Sequence, residues 1–163
     1  MNPRLTIRKA LRTDCHAIAP RLREEDAKEL LLSSGKEPIE SLLDSFSFSS
    51  ETFVAEEDGQ VIAIWGFGTF IYEEAGKKTL VGVPWMVGTP EMMKHPVTIV
   101  AAGRVAVDRW ESQCDCLCNL THVENTVHHR WLRHLGFQFM PDVVPTGPSK
   151  APFLQFYRYK INV

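Results

Sequence analysis

At 163 residues the chain is long enough for one domain, expected over residues 1–163, with a core that needs no disulfide or metal staple. Hydrophobic residues at 44% and charged residues at 23% are the mix of an ordinary globular protein. A formal net charge of -2 excludes broad electrostatic binding of nucleic acid and leaves only a local basic patch at Arg130 and Arg133.

In chain order, Leu5 to Lys9 reads as a first strand. Thr13 or Asp14 can cap a helix that turns Ala17, Ile18 and Leu22 inward, with a kink at Pro20. The acids Glu24, Glu25 and Asp26 suit a new helical start, Leu30 and Leu31 face the core, and Gly35 suits a stop. Pro38 opens a short helix with Ile39, Leu42, Leu43 and Phe46 on one side; two helices or three fit this region.

Thr52 to Glu57 and Val61 to Phe70 read as strands joined at Asp58-Gly59, a dipeptide that tolerates the positive φ of a tight hairpin. Gly76-Lys77 marks the next turn, and Thr79 to Thr89 a fourth strand. Pro84 inside it has no N–H to give, which predicts a bulge or a locally unpaired edge. A long helix follows from His95-Pro96 to about Gln113, with Val97, Val100, Ala101, Val105 and Trp110 as core contacts. Asp115 to His122 is a fifth strand and Asn125 to Leu135 a helix stopped by Gly136. Phe137 to Met140 is a sixth strand, and Val143 to Pro152, with three prolines and a glycine, a loop. Phe153 to Ile161 closes the chain as a seventh. The order β, helices, βββ, α, β, α, ββ predicts an α/β (α+β) fold: a mixed sheet with helices on both faces.

No apolar stretch reaches the ~18 residues of a membrane span, and Met1-Asn2-Pro3-Arg4 does not open a signal peptide. A cytoplasmic protein with no membrane or nucleic-acid partner is expected. Cys114, Cys116 and Cys118 alternate; on a strand their thiols sit ~6.6 Å apart per step, a poor match to a zinc site, so packed reduced thiols are favoured there and at Cys15. Trp65, Phe67 and Phe70 around Gly66 and Gly68 read as core, or as backbone opened for a ligand. His128, His129 and His134 read as a solvated helix face, with a metal site the lesser reading.

The run Asn125-Thr126-Val127-His128-His129-Arg130-Trp131-Leu132-Arg133-His134-Leu135-Gly136-Phe137 resembles the Asn-x-x-Ala-x-x-Leu-Tyr-x-Lys-x-Gly-Phe segment after the fifth strand of GNAT (Gcn5-related N-acetyltransferase) proteins, and the order of elements matches over nearly the whole chain. Pro84 to Thr89, Asn125 to Leu132 and Phe153 to Phe156 are also similar to the GNAT-like phage internal virion protein A family. Other phage GNAT-like proteins are made early and target host metabolism, including quorum sensing. The resemblance implies an acetyltransferase with acetyl-CoA (coenzyme A) as cosubstrate, acting on a host protein or small amine. It equally implies an inactive fold that binds a host or virion protein, in the host cytoplasm or packaged in the virion.

The resemblance places coenzyme binding at Val87, Gly88, Thr89 and Asn125, with Lys94 and the helix start near Val97 in support. Three departures go with it. The turn after the fourth strand has one glycine, two prolines and an acid where the family has a glycine-rich phosphate cradle. Leu132 stands where a tyrosine protonates the departing thiolate, and a leucine has no proton to give. Leu80 to Val87 contains no carboxylate to serve as base, which leaves His122 as the candidate catalytic residue, ahead of Glu73 and Glu74. Asn125 is a helix N-cap, a ligand contact, or both, and the loop from Val143 borders the acceptor site.

Overall fold

A computed structural model describes residues 4–160. Its first strand, β1 (Leu5–Lys9), leads into three helices, α1 (Arg12–Ile18), α2 (Glu24–Ser34) and α3 (Pro38–Phe48). Pro20 sits in a 3₁₀ turn, Ala19–Arg21, that ends α1 instead of kinking it. The cap of α1 falls at Leu11, two or three residues before the expected Thr13 or Asp14. Asp14 lies inside the first turn, where its carboxylate accepts the Leu11 N–H at 2.6 Å and the Arg8 guanidinium at 2.8 Å. Gly35 ends α2 in the left-handed conformation, φ 72°.

The strands β2 (Glu51–Glu57), β3 (Gln60–Glu74) and β4 (Lys77–Gly88) form an antiparallel meander. Both hairpins turn on a pair of positive-φ residues, Asp58-Gly59 and Ala75-Gly76. β3 outruns its expected end at Phe70 by four residues and carries Phe70, Ile71 and Tyr72 into an exposed arm.

After a 3₁₀ turn at Pro90–Lys94 come α4 (Pro96–Glu111), β5 (Cys116–His122), α5 (Thr126–His134), β6 (Gln138–Thr146) and β7 (Ala151–Tyr159). The sheet order is β1-β2-β3-β4-β5-β7-β6, and only β4 and β5 run parallel. The segment expected as a loop from Val143 to Pro152 is mostly strand. Its prolines fit because β6 is an edge strand, and Pro145 lies opposite Pro152, where neither needs an N–H. The closing strand ends at Tyr159; the expected end at Ile161 lies outside the described residues.

Helices cover both faces of the sheet. On one face α4 and α5 pack Ile99, Val107, Trp110 and Leu132 against Trp65, Phe67, Leu117 and Phe156. Trp110 stacks on Phe67, ring centroids 5.2 Å apart. On the other, α1 and α3 pack Cys15, Ile18 and Leu42 against Val54, Ile64 and Val87. The inward stripe of α4 is Ile99, Ala106, Val107 and Trp110; Val97, Ala101 and Val105, expected there, face solvent. The sequence offers two apolar stripes, and the helix phase is set by Trp110, whose indole N–H donates to Glu51 at 2.9 Å. Gly66 and Gly68 serve packing: a Cβ would meet the Trp85 indole at 2.9 Å and the Phe48 ring at 2.3 Å respectively.

Candidate functional site

β4 and β5 pair only at Val81–Cys116 and Gly82–Leu117, then diverge. Pro84 lies just past the last pair. Its ring has no N–H to extend the ladder to β5, while its pairing with Phe67 of β3 is undisturbed. The side chain of Asn119 occupies the fork, donating to the Pro84 carbonyl at 2.9 Å and accepting the Leu120 N–H at 2.8 Å. The one parallel pair of this mixed sheet is thus split from its middle to one end.

Cavities lie on both sides of the split. On the α4–α5 side a slot of about 50 Å³ is lined by Val100, Gly103, Trp131, Leu132 and other apolar residues. On the α2–α3 side a chamber of about 280 Å³ is lined by Asp26, Glu29, Phe48, Leu120 and Phe153, among others. Pro84, Trp85, Met86, His128 and Phe156 wall both, so the two spaces lie back to back across the parted strands.

A buried polar network anchors α2 beneath this split. Arg23 forms a two-pronged ion pair with Asp26, at 2.9 and 3.2 Å, and donates to Asn125 Oδ1 at 3.1 Å. Asp26 also accepts the Gly88 N–H at 3.0 Å. Asn125 Nδ2 donates to Asp26 at 3.2 Å and to Glu29 Oε2 at 2.8 Å, and the Thr121 hydroxyl reaches the same Glu29 oxygen at 3.4 Å. Burial pushes the Glu29 carboxyl up to about 7 against the opposing pull of the Asn125 amide and the His122 N–H. His128, at the junction of the cavities, is pushed down to about 4 by burial and is neutral at physiological pH.

No family model matches the chain, and no curated protein matches it in sequence. Solved structures match it over nearly its whole length. The ribosomal-protein-alanine N-acetyltransferase of Brucella melitensis superposes with a TM-score of 0.68 at 15% identity, over 94% of this chain and 99% of that one. A GCN5-related N-acetyltransferase from Kribbella flavida gives 0.66 at 18% identity, over 95% and 97%. The Salmonella typhimurium protein yncA, solved with its cofactor acetyl-CoA, gives 0.63 at 17% identity, over 98% and 95%. The chain has the GNAT fold.

Within the GNAT fold the expected site residues fall unevenly. Asn125 is at the N-cap position of α5, but its side chain makes no cap bond; it ties α2 to the split instead. Val87, Gly88 and Thr89 are buried. The Gly88 N–H is engaged by Asp26 and the Thr89 N–H by Ile62 O at 2.9 Å, so neither faces an open phosphate cradle. Gly88 is there for packing, since a Cβ would meet Met92 Sδ at 2.4 Å. The outward donors of this turn are the first-turn amides of α4, at Val97 and Thr98.

The His122 imidazole lines neither cavity. It stands edge-on to Phe153 at 5.3 Å and accepts the Glu124 N–H at 3.3 Å, while burial pushes its pKa down. What His122 brings to the site is backbone: its N–H to Glu29 and its carbonyl to the His129 ring at 2.9 Å. Glu73 and Glu74 lie on the exposed arm, remote from the split. Leu132 lines the slot, and the carboxylates that line the chamber, Asp26 and Glu29, come from α2.

Sequence reasoning passed over Glu29, and it read His128 and His129 as a solvated helix face, whereas His128 lines both cavities and His129 is buried. Glu29 sits in an acidic run, Glu24 to Glu29, that reads as a solvated helix face. The available signal was the helical spacing of Asp26 and Glu29, three apart and hence on one face. Cys15 and Cys114 are buried, Cys116 and Cys118 half-buried, and all four are free thiols. Among the described residues no group of His, Cys, Asp or Glu is placed to hold a metal, and no helix is long and apolar enough to cross a membrane.

Proposed function

We propose that this chain is an acyl-CoA-dependent N-acyltransferase that moves an acetyl group from acetyl-CoA to an amine. One observation carries this reading: the β4–β5 ladder ends at Gly82, and the cavities on the two faces of the sheet share Pro84, Trp85 and Met86 as a wall just beyond that end. Two substrates can then approach one point from opposite sides without competing for the same space. The apolar slot suits the pantetheine arm of the donor, and the α4 amides with Lys94 suit its phosphates, a smaller donor set than a glycine-rich turn supplies. The structural neighbour yncA of Salmonella typhimurium, solved with its cofactor acetyl-CoA, supports the same assignment.

A second reading keeps the fold and drops the chemistry: a binding module for a host or virion protein. The narrowness of the slot, about 50 Å³, and the engaged amides of Gly88 and Thr89 favour it. The resemblance of Pro84 to Thr89, Asn125 to Leu132 and Phe153 to Phe156 to phage proteins supports, under either reading, a place in the cytoplasm of an infected host or packaged in the virion.

Calorimetric titration with acetyl-CoA separates the two. Gly103 lines the slot, and a Cβ there stands 3.0 Å from Leu135, so Gly103→Ala is tolerable while Gly103→Met projects into the slot. Saturable binding to the wild type and to Gly103→Ala, lost in Gly103→Met, is the expected result. Absence of binding to the wild type at millimolar ligand would leave the binding module.

A further inference from the structure

The chamber on the α2–α3 side has a composition that selects its occupant. Its volume of about 280 Å³ lies at the small end of the roughly 300–1,000 Å³ range of ligand pockets, which suits a compact molecule. Most of its wall is apolar, with Phe48, Trp85, Phe153 and Leu120 prominent. Its ionisable side chains are Asp26, Glu29 and His128; no lysine or arginine lines it.

These three groups are not equivalent. Asp26 is already held by Arg23, the Gly88 N–H and Asn125. His128 is neutral. Glu29 accepts from Asn125 and Thr121 on a single oxygen, Oε2, and from the His122 N–H, and a carboxylate offers about four acceptor sites. One anionic group with spare capacity thus faces a chamber whose wall is mostly apolar, with Ser33, Ser45, Asn119 and Thr146 as its uncharged polar side chains. A ligand carboxylate or phosphate would find no cationic partner, and a second ligand cation would find no second free anion.

We propose that this chamber binds a compact primary amine bearing one positive charge and an apolar body, and that Glu29 takes the proton from its ammonium. The proposal rests on the acyl-transfer function above. One N–H bond of the ammonium breaks and an O–H bond forms on Glu29. The freed nitrogen pair forms a C–N bond to the thioester carbonyl carbon, and the C=O π pair moves to oxygen. That pair returns as the C–S bond breaks. Sulfur leaves with the bonding electrons and takes the second proton from the now cationic nitrogen, which accounts for a thiol product without a tyrosine at Leu132. The products are an amide and a thiol; the proton on Glu29 passes to water. A carboxyl lifted to about 7 can accept a proton at neutral pH and return it each cycle. The titratable groups near it are Asp26 and Arg23 at the start of α2, the solvent-exposed Lys28–Glu124 pair, and the neutral His128 on α5.

The test uses purified full-length protein, acetyl-CoA and three probe amines: 2-phenylethylamine, L-glutamate and spermidine. Coenzyme A release is followed by chromatography across neutral pH for wild type, Glu29→Gln and Glu29→Asp, with thermal melts to show that each variant folds. Transfer to 2-phenylethylamine at least about tenfold above the other two in kcat/KM is expected. In the wild type kcat rises with a midpoint near 7. Glu29→Gln lowers kcat by roughly 10²–10⁴-fold with the acetyl-CoA KM unchanged and abolishes the pH step, and Glu29→Asp restores part of the rate. Undiminished transfer in Glu29→Gln, or preference for glutamate or spermidine, would overturn the proposal while leaving acyl transfer intact. Binding of acetyl-CoA without transfer to 2-phenylethylamine would also overturn it. Absence of acetyl-CoA binding would instead remove the acyl-transfer function. Direct titration with 2-phenylethylamine then decides the amine site: binding that Glu29→Gln abolishes upholds it, and no binding overturns it.

Discussion

The side-chain amide of Asn125 donates to Glu29 Oε2 at 2.8 Å, across 96 residues of sequence, and so fixes the start of α5 to the middle of α2 directly under the split between β4 and β5. The same amide group also serves Asp26 and accepts from Arg23. Asn125 is 1% exposed, so water does not readily replace it. Asn125→Leu, close in size, leaves these buried polar groups short of partners, and a loss of about 2–4 kcal/mol is expected in urea unfolding. A loss below about 0.5 kcal/mol would show that the network is not structural.

Two ion pairs of α2 should behave oppositely. Arg23 and Asp26 are 7% and 3% exposed, and Arg23→Met leaves a buried carboxylate without its cation. The expected cost is about 3–5 kcal/mol. Lys28 and Glu124 are bonded at 2.6 Å but sit largely in solvent, and Lys28→Met should cost less than about 1 kcal/mol. Unfolding midpoints of the two variants give the comparison directly; similar losses would contradict it.

The raised Glu29 carboxyl also sets a pH signature on stability. A carboxyl whose folded value lies above its unfolded value of 4.5 holds its proton more tightly when folded. Wild-type stability relative to Glu29→Gln is therefore greatest below pH 4.5 and declines as pH rises to about 7, beyond which the difference is constant. At about 1.36 kcal/mol per pH unit the decline has a ceiling of ~3 kcal/mol. Parallel stability curves for the two proteins over this window would mean that the carboxyl is not perturbed.

The fold was legible because local signals agreed with one another. Asp58-Gly59 and Gly76 fixed the hairpins, Pro38 and Gly35 the helix limits, and Asn125 to Phe137 the unit that turns the meander into a mixed sheet. Pro84 was read as a bulge or a locally unpaired edge; its pairing to β3 has no bulge, and the β4–β5 pairing ends two residues before it. The site was much less legible. The base was sought on β4 and at the end of β5, where the resemblance directs attention, and His122 was the residue there with a suitable pKa. Sequence cannot show that its ring turns against Phe153 or that α2 folds under the split to bring Glu29 to the chamber. Likewise, Gly88 was taken for its amide, but what governs it is Met92 across the backbone.

Gly82 closes the intact part of the β4–β5 ladder, and a Cβ there would stand 2.4 Å from Phe67, 2.7 Å from Leu117 and 2.8 Å from Cys114. All three neighbours are buried and cannot swing aside. Gly82→Ala should cost about 1–3 kcal/mol by overpacking, despite removing the entropy penalty of a glycine. A neutral or stabilising effect in urea unfolding would mean that the strands part at that pair without strain.

His128 stands where the GNAT segment has alanine, and its ring walls both cavities. Being neutral, it contributes bulk rather than charge to the wall they share. His128→Ala should therefore thin that wall, enlarge the slot and tighten acetyl-CoA binding by about tenfold, or ~1.4 kcal/mol, read by the same titration that tests the donor slot. The loss of its edge contact with Phe156, ring centroids 6.3 Å apart, should cost no more than about 1 kcal/mol of fold stability. Weaker binding in a folded His128→Ala protein would give the imidazole the opposite role, that of a hydrogen-bonding partner to the donor, and would make the narrow slot a fitted one.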